Sequence, residues 1–329
     1  MVQSTILNMT APLREGFDIP VHDFGNREVR PRAALVGGLH GNELNGVFVL
    51  ARLAAFLKSV EAGGRPHRLH GRIIILPAVN VLGLNARTRH WPFDNTDINR
   101  MFPGYSQGET TQRIADAVLE RTKDAYYRID IHSSNLDFEE FPQVRLYQPH
   151  DDERVTACLF GLPVVERPLN PTYTRTLNYA WKTFEGENFV IQGGQAGGLQ
   201  RQHCERLFRA LVAFLLRTGI VEGLPLSEEE EDLHYFGVHQ ALPLVAERAG
   251  LFVSKLETGS WLQAGDVIGQ IYDGFEGEIG AEVRTPVAGL LIGIRRQPLL
   301  YEGDLLARIE TRQPLGERSD THLHGQGQE

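Results

Sequence analysis

Two short runs in this chain carry residues able to do chemistry together: His40-Gly41-Asn42-Glu43 and, much later, Asp130-Ile131-His132-Ser133-Ser134. Between them they offer two imidazoles and a carboxylate, a set that zinc takes in catalytic sites where a fourth position is left to water. A third run lies between, with Arg89 and His90 followed by Asp97-Ile98-Asn99-Arg100-Met101-Phe102-Pro103-Gly104. Guanidinium and amide groups of this kind grip carboxylates through paired hydrogen bonds. Arg89 and Arg100 would otherwise be surface ion-pair partners, with Asp94 and Asp97 to hand.

The surrounding pattern says how such residues could meet. Ala33-Ala34-Leu35-Val36-Gly37 reads as a buried strand and residues 45–59 carry helical apolar spacing, so His40 and Glu43 sit on a strand-to-helix turn. Gly37, Gly38 and Gly41 supply sharp backbone turns there. His132 ends a second strand candidate, residues 125–131, and both pieces belong at the carboxyl edge of one sheet. Further strands are predicted at residues 72–76 and 189–192, and helices at 110–123 and 199–218. In the last of these, Leu207, Leu211, Phe214 and Leu215 mark a packed face, and Gly219 stops it. Strands alternating with helices predict an α/β fold, a mostly parallel or mixed sheet flanked by helices.

Taken in order, Gly-x-His-Gly-x-Glu, Arg89, Asp-Ile-Asn-Arg-x-Phe-Pro-Gly and Asp-Ile-His resemble the succinylglutamate desuccinylase and aspartoacylase family, a branch of the zinc carboxypeptidase-like hydrolases. The motifs cover about residues 30–215. The resemblance implies one Zn2+ per chain held by His40, Glu43 and His132. Arg89 would polarise the scissile carbonyl and steady the oxyanion, and Asn99 with Arg100 would bind the substrate's α-carboxylate. Manganese, cobalt or nickel also suits such ligands. The expected activity is hydrolysis of the amide of an N-acyl amino acid or a related small anionic amide, with a carboxypeptidase-like peptidase as the neighbouring alternative.

One expected residue is replaced. The resemblance implies a general-base glutamate near the end of a later strand, where this chain reads Asn188-Phe189-Val190-Ile191-Gln192-Gly193-Gly194. Gln192 stands at that place, and an amide cannot act as a general base. Three alternatives stay open: Glu187 or Glu185 supplies the carboxylate from a shifted strand, a glutamate elsewhere does so, or the protein holds metal and binds ligand without turning it over.

Composition bounds the partners. The chain has 329 residues, 42% of them hydrophobic, with a formal charge of -9 and no cluster of lysine and arginine. Nucleic acid and anionic membrane are therefore poor partners. No stretch approaches the roughly 20 apolar residues of a membrane span. Residues 1–9 lack a basic region followed by an apolar run, and Cys158 and Cys204 are far apart, so a cytoplasmic protein with reduced thiols is expected.

Domain organisation follows from composition shifts. Residues 1–225 form the hydrolase-like domain, 226–234 an acidic linker around Ser227-Glu228-Glu229-Glu230-Glu231-Asp232, 235–312 an all-β domain, and 313–329 a polar tail expected to be disordered. The β domain contains an approximate repeat, Ala249-Gly250-Leu251-Phe252-Val253 to Ala264-Gly265-Asp266 matching Ala288-Gly289-Leu290-Leu291-Ile292 to Glu302-Gly303-Asp304. It resembles the barrel-sandwich hybrid of biotinyl and lipoyl carriers. The turn between its halves, Asp273-Gly274-Phe275-Glu276-Gly277-Glu278, has no lysine to carry a prosthetic group. A packing or assembly role is expected instead, compatible with a homo-oligomer. His322 and His324 in the tail could bind metal only at a cost in chain entropy.

Overall fold

Ile73-Ile74-Ile75-Leu76 and Ala33-Ala34-Leu35-Val36-Gly37 are buried at every position, as strands covered on both faces must be. They lie at the centre of the first of two compact units, Met1–Tyr235 and Phe236–Glu329. The structure, a computed structural model, describes residues 2–10, 16–63, 66–223 and 234–313. The acidic run Ser227 to Asp232 and the tail with His322 and His324 lie outside the described residues.

In chain order the first unit comprises β1 (Val2–Met9), β2 (Phe17–Phe24), β3 (Ala33–Gly37), α1 (Leu44–Glu61), β4 (Arg68–Leu69), β5 (Ile73–Leu76), α2 (Val81–Ala86), α3 (Thr110–Thr122), β6 (Tyr127–His132), β7 (Phe138–Tyr147), α4 (Asp151–Ala157), β8 (Val164–Arg167), α5 (Leu177–Trp181), β9 (Glu187–Gly194), α6 (Arg201–Arg217) and β10 (Val221–Glu222). The main sheet runs β1-β2-β5-β3-β6-β9-β7. Its middle, β5-β3-β6-β9, is parallel, while β2 pairs antiparallel with β5, and β7 antiparallel with β9. The sheet is thus mixed, as one of the two predicted forms has it.

Alternation along the strands divides the core in two. Leu35, Ile73, Ile75, Ile129, Ile131, Phe189 and Ile191 face the apolar sides of α1 and α6, including Leu53, Leu57, Leu211 and Phe214. Ala34, Val36, Ile74 and Leu76 face Ile114 and Val118 of α3 and Leu177 and Trp181 of α5. Asp130 and His132 fall on this second face, because Ile129 and Ile131 take the first. Gly219, at φ +64°, ends α6 in the left-handed conformation its glycine permits.

Several elements exceed what the sequence pattern predicts. β6 starts at Tyr127 rather than residue 125, and β9 extends from Glu187 to Gly194 around the predicted 189–192. β7 and β8 have no counterpart in the prediction. No helix among the described residues is long and apolar enough to cross a membrane.

The second unit is antiparallel β. Gly250–Ser254 pairs with Val267–Tyr272, and Gly289–Arg295 pairs with Leu305–Glu310, one pair from each half of the repeat. The short strands cross over. Trp261–Leu262 from the first half pairs with Leu290 and Gly289, and Leu299–Leu300 from the second pairs with Leu251 and Gly250. Phe252, Ile268, Leu291, Leu306 and Ile309 fill a core of their own.

Candidate active site

The turn after β3 is built for close approach. A side chain on Gly41 would place its Cβ 2.1 Å from the Gly83 backbone and 2.4 Å from the Thr88 carbonyl, so only glycine lets this turn lie against α2. The Gly41 N–H donates to the Arg89 carbonyl at 3.1 Å. Asn80, fully buried, caps α2 by accepting from the Gly83 N–H and donates to the Arg89 carbonyl at 3.3 Å. His40, Glu43 and Arg89 are therefore held by one small knot of backbone.

His132 arrives from the next strand. His40, Glu43 and His132 are all buried, and one ligand atom from each lies within 4.8 Å of the others. The Glu43 carboxylate sits between the rings, 2.7 Å from His40 Nδ1 and 3.0 Å from His132 Nδ1, and it also accepts from the Ser133 N–H. The far nitrogen of each ring meets another carboxylate, His40 Nε2 at 3.2 Å from Asp97 and His132 Nε2 at 2.9 Å from Asp130. Burial pushes the Glu43 carboxyl up, but the two imidazoles outweigh it and hold the group well below the usual range. Burial likewise opposes charge on His132, yet Asp130 and Glu43 raise its pKa to about 10.

This donor set fits a divalent metal on its own geometry. Both rings turn Nδ1 toward the shared carboxylate, and both fix Nε2 on an acceptor, the second layer that orients metal-ligating histidines. Asp97 and Asp130 are the functional candidates that spacing alone missed. Asp130 was visible only as part of a motif, and Asp97 only as a partner for arginine.

The arginines and the amide converge on the same place. Arg89, about one-third exposed, reaches Glu43 at 3.3 Å and Asp97 at 3.5 Å. Asn99 is buried, with Nδ2 3.4 Å from His132 Nε2 and Oδ1 accepting from the Leu177 N–H that opens α5. Arg100 donates to the Asn99 carbonyl and lies with its guanidinium 5.5 Å from the Tyr173 ring. Asp97 is held far below the ordinary carboxylate range: burial opposes this, but His40, Arg89 and Arg100 prevail.

Gln192 stands directly opposite His132 in the parallel pairing of β6 with β9. Glu187 does not join it. It pairs with Tyr127 at the start of both strands, five residues from Gln192, or roughly 16 Å away at about 3.3 Å per residue. Burial raises its pKa there. Glu185 lies in the loop before it, largely exposed and 3.4 Å from Arg30. Both glutamates occupy the opposite edge of the sheet from His132, because the strand is longer and begins earlier than its apolar run suggests.

The sequence and the fold have relatives. Residues 29–217 match the succinylglutamate desuccinylase/aspartoacylase catalytic domain. The chain is 28% identical over 290 residues to the N-alpha-acetyl-L-2,4-diaminobutyric acid deacetylase of Halomonas elongata, covering 85% of this chain and 82% of that protein. It is similar in fold to the product-bound ectoine utilization protein EutE (DoeB) of Ruegeria pomeroyi, at TM-score 0.73 and 22% identity over 94% of each chain. A succinylglutamate desuccinylase/aspartoacylase from Rhodobacter sphaeroides superposes at TM-score 0.69 and 22% identity, over 90% of each chain. With the family's catalytic domain matched across more than half its length, this chain belongs to the succinylglutamate desuccinylase/aspartoacylase family.

Proposed function

We propose that this protein is a zinc-dependent deacylase, cleaving the amide of an N-acyl amino acid, with one Zn2+ per chain on His40, Glu43 and His132. The observation that carries this is the opposed use of the two imidazole nitrogens. Nδ1 of each histidine faces Glu43, and Nε2 of each rests on Asp97 or Asp130. A zinc ion bound there supplies Lewis acidity and brings the pKa of water toward ~7. The chain's own residues do the rest. Asp97 and Asp130 hold the proton on Nε2, so a metal ion would have to displace only the proton on Nδ1 to gain its lone pair. Arg89, beside Glu43 and Asp97, offers N–H donors to an oxygen that becomes anionic only in the transition state. Arg100 and Asn99 receive the substrate carboxylate. The Halomonas relative, whose name specifies an N-acetylated amino acid, supports the substrate class. The thiols of Cys158 and Cys204 form no disulfide and suit a reducing cytoplasm.

Gln192 favours a second reading. It occupies the position opposite His132 where the resemblance implies a proton-accepting glutamate, and an amide accepts no proton at neutral pH. A metal-retaining binding protein would keep everything else. The experiment measures metal content of wild type and His40→Ala beside amine release from N-acyl amino acids. About one zinc per chain, lost with amine release in the variant, is the expected result. Zinc without release from any substrate favours the binding protein, and absence of metal overturns both.

A further inference from the structure

Ile279–Arg284 is the outer strand of the four-stranded sheet in the second unit, paired on one side with Val267–Tyr272. Among the described residues no strand pairs with its other side. The backbone shows which groups are left open there. Thr285, just past the strand, donates its N–H to the Asp266 carbonyl at 3.0 Å, and its own carbonyl accepts from the Gly265 N–H at 2.7 Å. Both groups of Thr285 thus face the sheet. Direction alternates along an antiparallel strand, so Val283 and Ala281 also bond inward, while the N–H and C=O of Glu282 and Arg284 face the open side.

Side chains alternate between the two faces of the sheet. Ala281 and Val283 pack on the unit's core, and Glu282 and Arg284 are exposed on the other face. These two are ion-paired with each other; Arg284 also donates to the Gly265 carbonyl at 2.8 Å, and Glu282 accepts from Gln270 at 3.5 Å. Where the strand begins, Ile279 is more than half exposed, and Phe275, in the turn before it, is fully so. Exposed apolar side chains beside an open strand edge mark a place where another chain can pair.

Charge decides which chain fits. Charge of one sign on an edge repels a second copy in every register. Here the signs alternate, so the outcome depends on register. A two-fold centred on Glu282 sets that carboxylate against its own copy, and one centred on Arg284 sets guanidinium against guanidinium. Centring on Ala281 calls on Gly280, the bulged residue, whose carbonyl Arg248 already holds at 2.9 Å. Centring on Val283 sets Glu282 opposite Arg284 of the second copy, and Arg284 opposite that copy's Glu282. Each such pair exchanges both backbone hydrogen bonds and places opposite charges side by side. We propose that this strand is a homodimer interface, pairing antiparallel with the same strand of a second copy about a two-fold axis at Val283 and joining the two sheets into one.

The test is sedimentation equilibrium of the full chain over a range of concentrations, with the charges exchanged. Wild type should show a monomer–dimer equilibrium. Glu282→Arg and Arg284→Glu each set like charges opposite one another and should each weaken the dimer about tenfold or more, while the two changes together should restore it. Glu282→Pro removes an outward N–H and no bond of the existing ladder; it should abolish the dimer and stands in if the charge variants do not fold. In wild type, hydrogen exchange at the Glu282 and Arg284 amides should slow as concentration rises. A monomer at every concentration, a dimer that ignores both reversals, or a double exchange that fails to restore it overturns the proposal. Full protection of those amides in the dilute monomer would mean that another segment of this chain covers the edge, and overturns it as well.

Discussion

Asp97 and Asp130 each meet one imidazole of the cluster at the nitrogen that faces away from Glu43. Replacing Asp130 by Ala should weaken zinc affinity about 10- to 100-fold, measured by competition with a chromophoric chelator, because the ring loses the acceptor that sets its tautomer. Unchanged affinity would show that the ring is held by packing alone. Asp23 makes a different case at the same scale. Burial pushes its carboxyl up, but Arg72 at 2.8 Å and Arg121 at 2.6 Å hold it below the ordinary range. A depressed folded-state pKa contributes stability that is complete above the unfolded value of about 4 and is lost as pH falls through the folded value. Asp23→Asn should therefore destabilise the fold at pH 7, and progressively less on acidification below pH ~4, in urea titrations across pH. That His40, Glu43 and His132 would meet was legible because they lie at the carboxyl ends of β3 and β6, where spacing limits direction, and the two strands pair in parallel. Glu187 was not, since its fate depended on where a strand begins, and an apolar run marks only the middle of a strand.

Elements explain the remaining gap. β7 was missed because its inner face is polar. Glu140 and Gln143 are buried, Arg145 is nearly so, and Pro142 interrupts the run, so the alternation that advertises a half-buried strand is absent. Strands that line sites are hard to read for this reason, whereas α1, α3 and α6 show their apolar stripes openly. The turn between β3 and α1 carries the sharpest element-level prediction. Gly41→Ala would drive a Cβ into the backbone of Gly83 and Thr88, which cannot yield as a flexible side chain can. The turn would separate from α2, taking His40 and Glu43 away from Arg89. The variant should lose stoichiometric zinc and unfold at lower temperature, seen together by metal analysis and a thermal melt. Retention of metal would show that α2 moves instead.

At the scale of the molecule, the two units have separate cores, one pair of clusters about the mixed sheet and another inside the β unit. The cluster of His40, Glu43 and His132 proposed to hold zinc belongs wholly to the unit Met1–Tyr235. Stripping zinc should then lower one calorimetric transition and leave the other in place. At a thousandfold excess of metal over its Kd the linkage is about 4 kcal/mol, which corresponds to roughly 10 °C for a domain of this size. A single transition that shifts as a whole would show that the units melt together.

The crossing of short strands in the second unit governs how that unit can form. Trp261–Leu262 completes the half that follows it, and Leu299–Leu300 completes the half that precedes it. Neither half owns all its edges, so each leaves unpaired N–H and C=O groups until the other arrives. The duplicated pattern therefore does not give a duplicated folding event. The chain must close contacts across both halves before either gains much, and non-local pairing of this kind slows folding. On a ribosome, the first half waits as an open template until residues near Leu300 have emerged.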